Sequence, residues 1–210
     1  DQNLYHGGED GKFSLKVKGN WKLAVENYCE SYHLPWIHPG LNSYSRLEDH
    51  YNIVKYGSHS GQGSLVYKQL TDEKGQTFPD FKNLSRKWAT GAEYIALYPN
   101  VLLGVHRDHA YAIILLPLSF SETIENVHIY YSQPDANPSL KKKNKKQWKE
   151  IFEEDIFVVE GMQAGRFGIK FDGGRFSPKM DEPTHCFHDW VASKVDDFRN
   201  QNRQIASVTE

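Results

Sequence analysis

What this 210-residue chain lacks narrows the reading first. It has two cysteines, Cys29 and Cys186, and two methionines. Two thiols cannot build a disulfide framework, and such sparse cysteine suits a reducing, cytoplasmic setting better than secretion. No apolar run reaches the 18 or so residues that span a bilayer, and no secretory leader opens the chain. A membrane-embedded protein of helical type is therefore not expected. The formal net charge is only −2, so neither nucleic acid nor an anionic membrane surface is drawn to it by bulk charge. The chain begins at Asp1 without a methionine, as a piece of a longer protein would.

What is present is ordinary for a globular chain, with one exception. Apolar residues make up 39% and charged residues 25%, and this length suits a single domain burying roughly 70% of its unfolded surface. The exception is aromatic content: 12 Tyr, 11 Phe and 5 Trp. Such a supply suits a sheet-rich fold around an aromatic-lined cavity.

The densest chemistry lies in Asn20–Gly40, NWKLAVENYCESYHLPWIHPG. No glycine or proline interrupts Trp21 to Tyr32, so a helix is expected there, with Asn20 as its N-cap. On that helix Glu30 and His33 would be i,i+3 neighbours, with Glu26 one turn back. His33 and His38 would sit about 140° apart on a regular helix. Pro35 breaks the helical hydrogen bonding and lets the chain turn, bringing His38 back toward His33. Two imidazoles with carboxylate partners suit a borderline metal such as iron or zinc. The bland alternative is two unrelated histidines at a helix-to-loop junction.

Around this element the chain alternates strand and turn signals. Lys12–Lys18 has period two. Tyr51–Tyr56 and Gln62–Leu70 read as strands joined by a Gly/Ser/His turn, and Thr71–Arg86 as a long connection. Ala92–Tyr98, Val101–His106, Tyr111–Leu118 and Ser121–Gln133 follow as strands, with Arg107-Asp108-His109 as a turn. An antiparallel sheet of six or seven strands is expected. A long helix, Leu140–Gly165, comes next. Its lysines 141, 142, 143, 145 and 146 read as a solvated face rather than a nucleic-acid site. Farther along, Phe152, Asp155, Val159 and Met162 form one stripe, and an acid inside an apolar stripe needs a partner or a metal. Asp155 either pairs with a cation such as Arg166 or supplies a third metal ligand, with Glu154 as its rival.

The phrase N-W-K-x-x-x-E-N-x-x-E-x-Y-H-x-x-x-x-H-P, with Glu154-Asp155-x-x-x-x-Glu160-x-x-Gln163, closely resembles the mononuclear-iron domain of the Rieske-type non-haem iron oxygenases. Tyr98–Leu103, Leu116-Pro117-Leu118, Gly174–Pro178 and Phe187–Trp190 extend the likeness across about Phe13 to Val195. The resemblance implies an α+β, helix-grip (START-like) domain: a curved antiparallel sheet wrapped around a long C-terminal helix, filling residues 1–210. It implies Fe(II) held by His33, His38 and Asp155, with O2 and a small organic substrate nearby. It implies Glu30 as the acid that links a neighbouring subunit's cluster to the iron, in a homotrimer fed by a reductase or ferredoxin. Asn27, Glu26 and Tyr32 are candidate helpers, Asn27 grouped with Glu30 as catalytic.

The 2Fe–2S cluster itself needs two Cys and two His ligands. Cys186-x-His188 has no C-x-x-H to complete it, so the cluster domain is not expected in this chain and His185–His188 reads as structural. Ring-hydroxylating dioxygenases commonly carry Asp where Glu30 stands. Glu is more like the branch that oxidises carnitine and betaines, for which Tyr94, Tyr98, Tyr111 and Tyr130 could make a cation–π cage if they are not simply packing. A metal-free START-like binding domain and a zinc hydrolase stand as alternatives.

Overall fold

A computed structural model describes residues 2–208. Eight strands form one antiparallel sheet: β1 (Tyr5–His6), β2 (Lys12–Val17), β3 (His50–Lys55), β4 (His59–Ser64), β5 (Ala92–Leu97), β6 (Val101–Val105), β7 (His109–Ser119) and β8 (Glu122–Tyr131). The order is β1-β8-β7-β6-β5-β4-β3, with β2 also paired to β8. Three helical pieces, α1 (Trp21–Cys29), α2 (Leu34–Ile37) and α3 (Pro39–Asn42), interrupt the strands between β2 and β3. Two long helices close the chain, α4 (Pro138–Gly165) and α5 (Glu182–Val208). No helix among the described residues is long and apolar enough to cross a membrane.

The β7–β8 pair carries the sheet, and burial alternates strictly along β8 from Thr123 to Tyr131. Its inward residues Val127, Ile129 and Tyr131 meet Leu140, Trp148 and Phe152 of α4 in one core. Aromatic rings fill the gap between sheet and helix: Tyr111 lies 4.7 Å from Trp148 and 5.2 Å from Phe152, centroid to centroid. Large rings bury the most apolar area per side chain, which is how a two-layer fold of this size acquires its core.

Four expectations are corrected. First, α1 ends at Cys29, and Glu30 is already extended. Second, the turn in the Gly/Ser-rich stretch is confined to residues 56–58: His59–Ser64 is strand β4, next to the edge strand β3, and residues 65–70 lie outside any strand. Here glycine permits close approach, because a Cβ on Gly63 would lie 2.1 Å from the Tyr51 ring. Helix α5 covers this strand, and Ser60 Oγ donates to Pro183 O at its start. Third, α5 itself was not anticipated. Fourth, the chain does turn at Arg107-Asp108 between β6 and β7, but this turn is inside the protein: Asp108 is fully buried, as is His109 at the start of β7. The lysine run is solvated as expected, with Lys143 and Lys145 pinning the backbone of Thr71 and Glu9. Cys186 and Phe187 are core residues.

One inward residue of β8 is a carboxylate. Glu125 lies opposite Leu15 and Leu115, and among the described residues no cation pairs with it. Burial pushes its carboxyl from 4.5 to about 8, with the nearby charge of Asp155 adding to the effect. The folded chain then holds a proton that the unfolded chain releases above 4.5, so stability falls as pH rises from 5 to 8. Glu125→Gln should flatten that decline and add on the order of a few kcal/mol at the alkaline end, read from urea midpoints across pH. Parallel pH profiles for the two proteins would show that the carboxyl is not held neutral.

Candidate metal centre

The segment after α1 is built to turn twice. The Glu30 carboxylate accepts from the backbone N–H groups of Tyr32 (2.6 Å) and His33 (3.3 Å), which starts a new turn directly after the helix ends. Pro35 sits in the first turn of α2, where its missing N–H costs nothing, and Pro39 does the same for α3. His33 therefore caps the start of α2 and His38 its end. Four helical residues between them bring the two rings to 5.2 Å, centroid to centroid. The imidazoles converge through this double turn, and Glu30 reaches His33 from beyond the helix rather than along its face.

Asp155 meets them from α4. Its Oδ1 lies 3.0 Å from His38 Nε2 and 3.7 Å from His33 Nε2. One nitrogen from each histidine and one oxygen from Asp155 all fall within 4.8 Å of one another. Arg166 is not its partner: that guanidinium pairs with Glu26 at 2.7 Å, and Glu26 also binds His188 at 3.0 Å. Glu26 is thus committed elsewhere and does not support the histidines.

The histidines' other nitrogens meet carboxylates. His33 Nδ1 lies 2.5 Å from Glu30 Oε1, and His38 Nδ1 lies 2.7 Å from Glu154 Oε2. A carboxylate accepts there, which places a proton on each Nδ1 and directs each Nε2 toward Asp155. Burial lowers the basicity of His38, but its hydrogen bonds to the acceptors Asp155 and then Glu154, with their negative charge, outweigh it, and its pKa is raised. Three carboxylates around two imidazoles favour positive charge at this point. The donor set fits a divalent cation: two ring nitrogens and one carboxylate oxygen on one side, open on the other.

A long-range clamp sets the distance between the histidine segment and α4. Lys18 N–H donates to Glu160 Oε1 at 3.0 Å, and Asn20 N–H donates to Gln163 Oε1 at 2.8 Å. The Asn20 side chain in turn accepts from Lys22 N–H, as an N-cap, and donates to Phe120 O at 2.8 Å. The spaced acid and amide of α4 thus hold the entrance to α1.

Beside the cluster lies a cavity of about 50 Å³, walled by α1, α4 and the sheet. Asn27, Tyr28, Tyr94, Tyr111, Trp148 and Phe152 line it with the three candidate ligands. Tyr111 reaches it by lying across Gly104, where a Cβ would stand 2.2 Å from its ring. Of the four tyrosines proposed for a cage, Tyr94 and Tyr111 line the cavity. Tyr98 packs on Phe187 and Trp190 instead, and Tyr130 on His6. Tyr32 is partly exposed and meets Glu30 only through its backbone. His50 of β3 and Gln62 of β4 also line the cavity, and no local sequence signal marks either. Gln62 accepts at His50 Nδ1 (2.5 Å) and donates to Glu30 O (2.8 Å), tying the sheet to the histidine segment.

An antiparallel α+β fold with a two-histidine, one-carboxylate cluster beside an aromatic cavity defines a candidate mononuclear metal protein. Residues 6–197 match the model of the ring hydroxylating alpha subunit catalytic domain, and the chain belongs to that family. It is 30% identical over 195 residues to a putrescine 2-hydroxylase of Bordetella bronchiseptica, covering 81% of this chain and 42% of that protein. It is 24% identical over 160 residues to the carnitine monooxygenase oxygenase subunit of Escherichia coli, covering 73% of this chain and 39% of that one. The chain thus spans less than half the length of these two relatives. Its fold is that of a quaternary ammonium Rieske monooxygenase (TM-score 0.69, 19% identity, 90% of this chain and 49% of that one). It is also that of dicamba monooxygenase (TM-score 0.64, 14% identity, 95% and 61%).

The clamp gives a test that needs no assay of turnover. Gln163→Ala leaves the half-buried Asn20 N–H without its acceptor and should cost about 1 kcal/mol, seen as a lower urea midpoint at unchanged slope. An unchanged midpoint would show that the clamp contributes nothing to stability.

Proposed function

We propose that this chain is the iron-bearing part of a terminal oxygenase that uses O2 to hydroxylate a small organic substrate, an amine or quaternary ammonium compound rather than an aromatic ring. The observation that carries it is the convergence of His33 Nε2, His38 Nε2 and an Asp155 oxygen within bonding reach of one ion. His33, His38 and Asp155 would hold Fe(II), and bound iron supplies O2 activation beside the cavity. Membership of the oxygenase family favours iron over the zinc of a hydrolase, and a metal-free binding domain would have no use for the cluster. The substrate class is supported by the putrescine and carnitine activities in the names of the relatives, and by the Glu at position 30.

The chain's own residues then have separate tasks. Glu30 and Glu154 hold the Nδ1 protons of His33 and His38, fixing one tautomer of each ring. Tyr94, Tyr111, Trp148 and Phe152 wall the substrate and exclude water. Asn27 lines both this cavity and a second hollow of about 360 Å³, which Glu30 also lines with Tyr32, Arg175 and Phe176. We read that second hollow as the approach for a neighbouring subunit's 2Fe–2S cluster, with Glu30 between cluster and iron. On this reading the working protein is a homotrimer in the cytoplasm, fed by a reductase or ferredoxin, and the sheet with α4 is a helix-grip domain.

Metal analysis of the full-length protein tests the centre. The wild type should carry one iron per chain, and His33→Ala, His38→Ala and Asp155→Ala should each lose it. Undiminished iron in the two histidine variants would sink the assignment. Full iron in Asp155→Ala, with loss in Glu154→Ala, would transfer the third ligand to Glu154. For Glu30→Gln, iron and cluster should stay while NAD(P)H-driven turnover drops by orders of magnitude and peroxide-driven turnover largely survives. Equal loss by both routes would instead indicate a damaged iron site.

A further inference from the structure

Behind the aromatic wall lies a buried polar network that the metal centre does not use. Asp108, His106 and His109 are 0%, 1% and 2% exposed. Asp108 Oδ1 lies 2.8 Å from His109 Nδ1 and accepts from Tyr67 Oη at 3.0 Å, and its Oδ2 accepts from Gln69 Nε2 at 3.2 Å. On the far side of the ring, Trp148 Nε1–H donates to His109 Nε2 at 2.8 Å. An indole nitrogen can only donate, so His109 Nε2 accepts, and the ring's proton stands on Nδ1 toward Asp108. His106 stacks on His109 at 4.4 Å, and its Nε2 lies 3.4 Å from Tyr94 Oη while its Nδ1 has no partner. Trp148 and Tyr94 are two of the cavity's walls.

The charge on this network is not balanced. Burial pushes the Asp108 carboxyl up, but hydrogen bonding, first from His109 and then from Gln69, opposes it, and the carboxyl stays below the ordinary carboxylate range. Burial drives His106 well below the usual imidazole value, so it adds no compensating cation. Arg107, next in the chain, is held outward by Asp80, its Nε at 2.8 Å from Oδ1. A buried anion thus stands one imidazole behind an aromatic wall, where the effective dielectric is low and its field reaches into the cavity.

We propose that Asp108 is a specificity-determining residue: acting through His109 on Trp148, it makes this end of the cavity selective for an ammonium group over a neutral one. The inference rests on the reading of the cavity as the substrate site. The relay holds the indole N–H toward His109, in a ring packed against Phe152, Tyr111 and His106 at the cavity wall. The anion behind it adds an attraction that a neutral guest does not feel. Asp108 touches no substrate itself; it positions the wall and sets its potential.

The test uses the full-length, iron-loaded protein and two probes of equal chain length, n-butylammonium and 1-butanol, with dissociation constants from calorimetry. The wild type should bind the ammonium at least about tenfold more tightly than the alcohol. Asp108→Asn, which keeps shape and removes charge, should bring the ratio near one. Trp148→Phe, which cuts the relay and leaves Asp108 in place, should lower it severalfold and remains informative if Asp108→Asn does not fold. A purely structural role would weaken both probes alike and leave the ratio unmoved. No preference in the wild type, or an unchanged ratio in either folded variant, would overturn the proposal. Iron is measured on every sample, so an iron-free wild type that still prefers ammonium would defeat the oxygenase reading alone.

Discussion

The distance between the β2–α1 turn and α4 is the constraint on which the site depends. His38 and Asp155 are 117 residues apart along the chain, and His33 lies farther still from Asp155. Nothing local can hold such a pair within hydrogen-bonding reach. Two backbone N–H groups, on Lys18 and Asn20, are satisfied by Glu160 and Gln163, one and two turns beyond Asp155 on the same helix. The Lys18 residue is exposed and Asn20 half-buried, so each bond contributes modestly, but together they set α1 against α4. Once α1 is placed, the double turn after Cys29 carries His33 and His38 to Asp155.

The second constraint is electrostatic. Glu30, Glu154 and Asp155 converge on two rings in a largely buried setting, an arrangement that repels itself unless positive charge is present. In the protein alone, protonation of His38 provides some of it, consistent with its raised pKa. A divalent cation would provide more. The same carboxylates would orient the two rings for such an ion.

Legibility from sequence divides along physical lines. Helix α1 could be read from its uninterrupted run and Asn20 cap, and β8 from its alternation, because local propensity and burial agree there. The candidate ligands could be read because two histidines around a proline and an acid on an apolar stripe are each costly to explain otherwise. Glu30's position beyond the helix end was hidden, since its carboxylate satisfies turn amides that a helix would have satisfied itself. Strand β4 was hidden because HSGQGS has turn composition. Its small residues are selected by the close approach of Tyr51 and α5, a tertiary effect that overrides propensity. Asp108 and His109 read as a turn for the same reason: only the fold reveals that Tyr67, Gln69 and Trp148 arrive to satisfy them.

The cavity's two ends therefore come from different parts of the structure. The end that would hold the metal is fixed by α1, its following double turn and α4, all tied by the clamp. The opposite wall is fixed by the β6–β7 connection and by Tyr67 and Gln69 from the irregular stretch after β4. Trp148 on α4, Tyr28 on α1 and Gln62 on β4 join the two ends. A change at Asp108, Tyr67 or Gln69 can retune the wall without moving any candidate ligand, whereas a change in the clamp disturbs the ligands first. On the proposed reading, substrate preference and metal retention would be separable on one scaffold, with Trp148 among the side chains that join them.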